Sequence, residues 1–277
     1  MRGRMDMKKS ILAIAGSDSI AGAGLQIDIK VAASLGVHAT CAITAITAQN
    51  TMGVYAVEQM PPEMVKAQID AVFADVPPQA IKIGMIGSSE VALAIADALR
   101  GHREVPVVLD PVLVATSGAA LAEESLVDTL KQTLFPLATA ITPNLPEAEA
   151  LTGVRAASES AMREAAAKLL SFGVRNVLIK GGHGEADSDC GELCIDRLYA
   201  ASTSSSDDIE ILLETKSQRV PGEFHGTGCS LSTAIACGLA KGLPLAEAVQ
   251  VAHDKIASMI FSPTGMGKGS SIIDPFI

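Results

Sequence analysis

The sequence predicts an α/β domain whose mostly parallel sheet is covered by helices on both faces. Short apolar runs alternate with stretches of helical periodicity along most of the chain. Such alternation is the pattern of parallel strands joined by helical crossovers. Most of the apolar runs stop at Gly, Asp-Pro, Thr-Pro-Asn or Lys-Gly-Gly. No internal repeat or linker divides the 277 residues, so a single domain over 1–277 is expected, preceded by a short flexible segment of about 1–8.

Taken in order, Ile11–Ala15 reads as a buried strand ending in Gly16-Ser17-Asp18. Ala21-Gly22-Ala23-Gly24 leads into a helix over Leu25–Leu35, which Gly36 stops. Val37–Ile46 is a second strand and Gly53–Gln59, with its alternation, a third. Pro61-Pro62 opens a helix to Phe73, Ile81–Gly84 is a strand end, and Glu90–Leu99 is helical. Val105–Leu109 is a strand stopped by Asp110-Pro111. A helix over Leu121–Leu134 and a strand over Thr139–Ile141 follow. Pro146–Leu151 and Ser158–Phe172 are helical, and Asn176–Ile179 is a strand. Glu185–Asp208 reads as a lid or mobile loop, with an apolar piece at Leu193–Leu198 and the polar run Ser202–Asp208. Ile209–Glu214 and Gln218–Val220 read as paired strands. Leu245, Ala248, Val249, Ala252, Ile256 and Met259 give the last helix its apolar face, before a glycine-rich tail.

Composition narrows the function classes. A net charge of −10 argues against a sequence-independent grip on nucleic acid, which needs a basic surface. No apolar stretch reaches the roughly 18–20 residues of a membrane span, and Met1–Lys9 has no long apolar run of a signal peptide. Five cysteines do not make a disulfide framework, so a reducing, cytoplasmic compartment is expected. Cys190 and Cys194 have the spacing of half a metal site, but no second pair accompanies them and His183 is the one nearby histidine, so they read as strand or lid packing.

Gly222-Glu-Phe-His225-Gly226-Thr227-Gly228-Cys229 reads as a glycine turn running into a small-residue helix. Amides at a helix start carry partial positive charge and point outward, which suits an anion. A thiol there is expected to have its ionised form favoured. The same residues also fit a plain turn capping a buried helix, with Cys229 as a small core residue.

Polar residues at strand ends are the other candidates, because open parallel sheets bind ligands beyond their carboxyl edges. Asp110 after Val-Val-Leu and Glu147 in Asn144-Leu-Pro-Glu can hold Mg²⁺ for phosphoryl transfer, or serve as a turn Asp and a first-turn Glu. Lys180 can reach a phosphate or lie solvated at a strand end, and Gln49 can read a ligand edge or cap a turn. The Asp18–Gly24 loop lacks the Gly-Lys-Ser/Thr ending of a P-loop and reads as a close-contact substrate loop.

Ala-Gly16-Ser-Asp18 with Gly22-Ala-Gly24-Leu-Gln-Ile-Asp28 begins an ordered set of motifs. It continues with Thr47-Ala-Gln49, Lys82-Ile-Gly-Met85-Ile-Gly87 and Leu109-Asp110-Pro111-Val112. Asn144-Leu-Pro-Glu147, Lys180-Gly-Gly182-His183 and His225-Gly-Thr-Gly-Cys229 complete it. From about Ile11 to the end, the chain resembles the hydroxymethylpyrimidine/phosphomethylpyrimidine kinases of thiamine biosynthesis. These are a branch of the ribokinase-like superfamily that includes vitamin B6 kinases.

The resemblance implies a three-layer α/β/α fold, ATP with Mg²⁺, a homodimer, and phosphorylation of 4-amino-5-hydroxymethyl-2-methylpyrimidine and its monophosphate. Pyridoxal kinase activity is the alternative within the superfamily. By the same resemblance, Gly16, Asp28, Gln49, Met85 and Val112 line the pyrimidine pocket, and Asp110 and Glu147 lie at the metal. Asn144, Lys180, Gly182 and Thr227 serve the nucleotide phosphates. Gly226, Gly228 and Cys229 form the anion hole and proposed base, with Lys180 also catalytic. Two departures stand out. Ser19-Ile20-Ala21-Gly22 replaces the usual Pro-Ser-Gly-Gly, and Phe224 replaces a Thr-like residue before His225.

Overall fold

The computed structural model describes residues 8–113, 124–156, 158–181, 193–202 and 208–277. A nine-stranded sheet runs in the order β3-β2-β1-β4-β5-β6-β7-β8-β9. Its strands are β1 Ser10–Asp18, β2 His38–Asn50, β3 Gly53–Gln59, β4 Ala80–Ile83, β5 Val107–Leu109, β6 Ala140–Ile141, β7 Asn176–Ile179, β8 Leu193–Ala201 and β9 Ile209–Gln218. The six strands from β2 to β7 are parallel, and β3, β8 and β9 join antiparallel at the two flanks. The carboxyl ends of β1, β2, β4, β5, β6 and β7 therefore share one edge, where the ligand-binding crevice of such sheets lies.

Helices cover both faces, as the alternating pattern requires. On one face lie α2 Pro62–Asp75, α3 Ser89–Leu99, α4 Glu124–Thr129 and α6 Glu159–Ser171, packed over Leu12, Ile14, Ile81, Ile83, Leu109 and Ile179. On the other lie α1 Gly24–Ser34, α7 Thr227–Ala240 and α8 Leu245–Ile260, over Ile11, Val108, Leu178 and Leu198. The α7 face of the sheet is built from small residues at Ala13, Ala15 and Ala80, all buried. Matching small residues on α7, Ser230, Ser232, Thr233, Ala234 and Gly238, let the helix sit close. A Cβ at Gly238 would lie 2.7 Å from the Ala248 methyl of α8. The remaining helix, α5 Leu145–Thr152, is set by a capping box in which Asn144 and Glu147 exchange hydrogen bonds of 2.8 Å.

Three expectations change. β2 continues to Asn50 because β3 pairs with it as a hairpin beyond the end of β1, so Gln49 lies within the strand rather than after it. Ile209–Gln218 is one continuous strand paired with β8, not two strands paired with each other. Leu193–Ala201 belongs to the sheet, with Leu198 and Tyr199 fully buried, so it is not part of the lid or mobile loop expected over Glu185–Asp208. Gly182, 185–192, 203–207 and the first three residues of the Leu121–Leu134 helix lie outside the described residues. The helix then runs from α4 into a π-helical turn, Leu130–Leu134. The glycine-rich tail carries β11 Ser271–Ile272, which pairs parallel with β10 Phe224–His225.

Candidate active site

Asp110 leaves β5 with its N–H still bonded to the Ile83 carbonyl at 2.8 Å, so its side chain is placed by the sheet itself. It is 2% exposed, and its Oδ1 accepts from Thr142 at 2.9 Å and from Lys180 Nζ at 3.0 Å. Lys180 follows β7 and bridges to Asn144 as an isolated parallel pair. Its ammonium also lies 4.0 Å from Glu147 Oε2, so one cation stands between two carboxylates. Burial pushes the Glu147 carboxyl up and the Asp110 charge adds to this; Lys180 only partly offsets them, leaving it at about 7. Burial would lower the Lys180 ammonium, but Asp110 and Glu147 more than reverse this and hold it charged.

The glycine turn arrives at the same place. Gly226, the N-cap of α7, has φ +86°, and a Cβ there would sit 1.9 Å from the Gly22 carbonyl oxygen. Only glycine accommodates both constraints. A Cβ on Gly228 would lie 3.2 Å from Lys180 Nζ and 3.3 Å from Asp110 Oδ2. The first turn of α7 thus faces the lysine–carboxylate cluster directly. Thr227 and Cys229 flank Gly228 and are half-buried.

The expectation of a favoured thiolate at Cys229 is not met. Burial pushes its thiol up to about 11, and the Asp28 and Asp110 charges add to this. Lys82 and a hydrogen bond from the Gly24 amide act in the opposite direction without overcoming burial. A helix start lowers a thiol only where desolvation is modest.

The residues expected at the acceptor pocket separate into two layers. Gly16 and Met85 touch: a Cβ at Gly16 would lie 3.1 Å from the Met85 sulfur. Val112 is half-buried beside Asp110, and its N–H bonds the Asp110 carbonyl at 2.8 Å. Gln49 is half-buried, and a β-bulge between Ala48 and Gln49 re-aims it. It lines a cleft of about 410 Å³ with Asn50, Glu223, His225 and Lys268. Asp28 lies deeper. It is fully buried, and its oxygens accept from Lys82 Nζ at 2.7 Å and from Thr233 on α7 at 2.6 Å. Both oxygens are already bonded within the protein, so Asp28 supports the pocket from beneath.

Sequence reasoning passed over four groups here. Lys82 is fully buried between Ile81 and Ile83, and a lysine inside a four-residue apolar strand signals a paired internal cation. Thr142 had no distinguishing pattern beyond its place after β6. Asp18 and His225 were quoted only within motifs, yet they meet at 3.0 Å and join the first loop to the glycine turn. In that loop Ala21 has φ +56°, a left-handed conformation that costs a non-glycine residue about 1–2 kcal/mol. This is where the usual pattern has glycine.

Among the described residues, no three His, Cys, Asp or Glu side chains cluster closely enough to hold a metal unaided, and no helix is long and apolar enough to cross a membrane.

The family model described as phosphomethylpyrimidine kinase matches residues 18–274. The chain is 43% identical over 267 residues to the thiamine biosynthesis bifunctional protein ThiED of Geobacter sulfurreducens, covering 94% of this chain but only 51% of that protein. It is 42% identical over 265 residues to a hydroxymethylpyrimidine/phosphomethylpyrimidine kinase of Haemophilus influenzae, covering 96% of each. The structure of a pyridoxal kinase from Staphylococcus aureus in complex with ADP superposes with a TM-score of 0.84 at 28% identity, over 98% of this chain and 94% of that one. With a matching fold, a continuous family match and a full-length relative, the chain belongs to the phosphomethylpyrimidine kinase family and is a phosphotransferase.

Proposed function

We propose that the chain transfers the γ-phosphoryl group of ATP to 4-amino-5-hydroxymethyl-2-methylpyrimidine and to its monophosphate, in thiamine biosynthesis. The observation that carries this reading is the packing of Gly228 against Lys180 Nζ and Asp110 Oδ2. It brings helix-start amides, a fixed cation and a carboxylate to one point. Phosphoryl transfer asks mainly for positioning and charge neutralisation of this kind. The S. aureus relative is in complex with ADP, which supports nucleotide use; in this reading Asn144, Lys180, Gly182 and Thr227 would meet the phosphates. Identity of 42% with the pyrimidine kinase against 28% with the pyridoxal kinase favours the pyrimidine as acceptor. Gly16, Gln49, Met85 and Val112 would contact it. Exposed Ile46, Met52, Tyr55 and Val57 on the β2–β3 hairpin support a homodimer, and the free cysteines among the described residues support a cytoplasmic setting.

Asp110 and Glu147 fit Mg²⁺, because a lysine already stands between them and Glu147 still lacks enough positive charge to ionise fully at neutral pH. Bound there with nucleotide phosphates, the ion supplies charge neutralisation. Glu147→Gln or Asp110→Asn therefore raises the Mg²⁺ concentration for half-maximal rate. In the wild type that concentration falls as pH rises through about 7, because the carboxylate form is the ligand, and the Gln variant loses this dependence. The stability sign runs the other way. A carboxyl raised from 4.5 to about 7 contributes stability below 4.5 that is lost as pH rises through 7. A Mg²⁺ titration of both variants at several pH values checks this, and unchanged curves place the metal elsewhere.

Cys229 serves as the base in this reading and must shed its own proton first. With the thiol at about 11, kcat/KM rises with pH over the neutral range as the thiolate fraction grows. Cys229→Ala lowers turnover at least about ten-fold, the low side of acid–base effects, and flattens that rise. Unchanged turnover in the alanine variant leaves only the amides, Lys180 and the metal as the chemistry.

A further inference from the structure

The tail beyond α8 carries Gly265, Gly267 and Gly269 in alternate positions. Glycine loses more conformational freedom on ordering than any other residue, so specific contacts must hold such a tail in place. They converge on Thr51, in the turn between β2 and β3. The amides of Lys268 and Gly269 both donate to its Oγ1 at 3.1 Å, and the Ser270 amide donates to its carbonyl at 2.9 Å. The approach is close enough to need glycine. A Cβ at Gly267 would lie 2.4 Å from Thr51 Cγ2, and one at Gly269 would lie 2.1 Å from the Thr51 carbonyl oxygen.

The tail is also tied to the glycine turn. The Ser271 amide donates to the Glu223 carbonyl at 2.8 Å, and β11 then pairs with β10, which runs directly into Gly226. Ile272 packs on the first loop, where a Cβ at Gly22 would lie 3.4 Å from its Cγ1. The cleft of about 410 Å³ lies between these two anchors. Gln49 and Thr51 line it from the hairpin, and Glu223, His225, Lys268 and Ser270 line it from the other side. The tail is therefore one wall of the cleft, and Thr51 joins that wall to the opposite one.

We propose that Thr51 is a positioning residue for acceptor binding: by clasping the glycine-rich tail it holds the far wall of the acceptor cleft closed. The inference rests on the reading above that the cleft lined by Gln49 takes the acceptor. Apparent affinity falls in proportion as the binding-competent form is depopulated. A glycine-rich wall has a large ordering entropy to overcome, so loss of the clasp depopulates its closed form. The residues assigned to the nucleotide phosphates, Asn144 and Lys180, share no hydrogen bond with the clasp. The effect therefore falls on the acceptor and not on ATP.

The test is steady-state kinetics of the wild type, Thr51→Val, Thr51→Ser and Gly269→Ala, with 4-amino-5-hydroxymethyl-2-methylpyrimidine and with pyridoxal as acceptors. Valine keeps the shape of threonine and removes the oxygen that both amides use. It raises the acceptor KM by about ten-fold, the scale of two exposed hydrogen bonds lost, while kcat and the KM for ATP hold. Serine restores the oxygen and returns the acceptor KM toward the wild-type value. Gly269→Ala forces the tail off the Thr51 carbonyl and raises the same KM at least as far. A merely structural Thr51 lowers the melting temperature of the valine variant and leaves the acceptor KM where it was. That result overturns the proposal, as does a parallel rise in the KM for ATP, or a serine variant no better than valine. If Thr51→Val does not fold, Gly269→Ala decides by the same criterion. A wild type that uses pyridoxal and not the pyrimidine overturns the pyrimidine reading alone, and the clasp is then judged on the KM for pyridoxal. Use of neither acceptor overturns both.

Discussion

Replacing Lys180 with methionine lowers kcat by about 10²–10³-fold, the loss expected when one preorganised charge donor is removed from a transition state. The ammonium is the one cation within 4.0 Å of both Asp110 and Glu147 among the described residues. Gly228 packs against it at the start of α7, where the moving phosphoryl group would sit. Methionine keeps the length of the side chain and loses the charge, so packing changes little. Two buried carboxylates then face each other without a cation, and Glu147 takes up a proton more readily. Single-turnover kinetics separate the chemical step from nucleotide binding. A loss of less than about ten-fold, below the range for such a donor, removes Lys180 from the transition state.

The largest effect on stability is expected at Lys82. Lys82→Met lowers the unfolding free energy by about 3–5 kcal/mol, because it leaves Asp28 as an uncompensated buried charge. Both side chains are 0% exposed, and the pair is 2.7 Å apart. Burial would lower the lysine, but Asp28 more than reverses this and keeps it protonated. Asp28 also accepts from Thr233, so the pair anchors α7 to the sheet beneath the glycine turn. The double replacement Lys82→Met, Asp28→Leu recovers most of the loss, since an apolar pair of similar volume is tolerated where half of an ion pair is not. Urea denaturation measures both. A single-variant loss near that of an exposed pair, about 1 kcal/mol or less, contradicts the buried-charge account.

The two cases show what a sequence does and does not reveal. Strands bounded by their own breakers were legible: Gly53–Gln59 and Asn176–Ile179 have the expected limits, because hairpin and Lys-Gly signals are local. β2 was read short, because its last residues are held by β3 rather than by any pattern of their own. β9 was read as two strands, because Thr215, Lys216 and Ser217 interrupt its apolar run. Yet Thr215 is buried, paired opposite Asp196. At the site, Asp110, Glu147 and Lys180 were found from their places at strand and helix ends and Asn144 from the resemblance, and the four do meet. What stayed hidden was pairing at long range. Nothing near Asp28 announces Lys82, 54 positions away, and nothing near Asp18 announces His225, 207 away. The ionisation of Cys229 was misread for a related reason. The helix start is visible in sequence, whereas the desolvation that outweighs it is a property of the assembled site.

The most direct test of the central claim is an acceptor competition with the wild-type protein, ATP and Mg²⁺, using ADP release to compare the aminopyrimidine alcohol, its monophosphate and pyridoxal. Gln49 offers an acceptor and a donor side by side, and pyridoxal has no amino group for the amide oxygen. The expected result is phosphorylation of both pyrimidine acceptors, with kcat/KM for the aminopyrimidine alcohol about ten-fold or more above that for pyridoxal. A preference for pyridoxal, or ADP release that no pyrimidine stimulates, would contradict it.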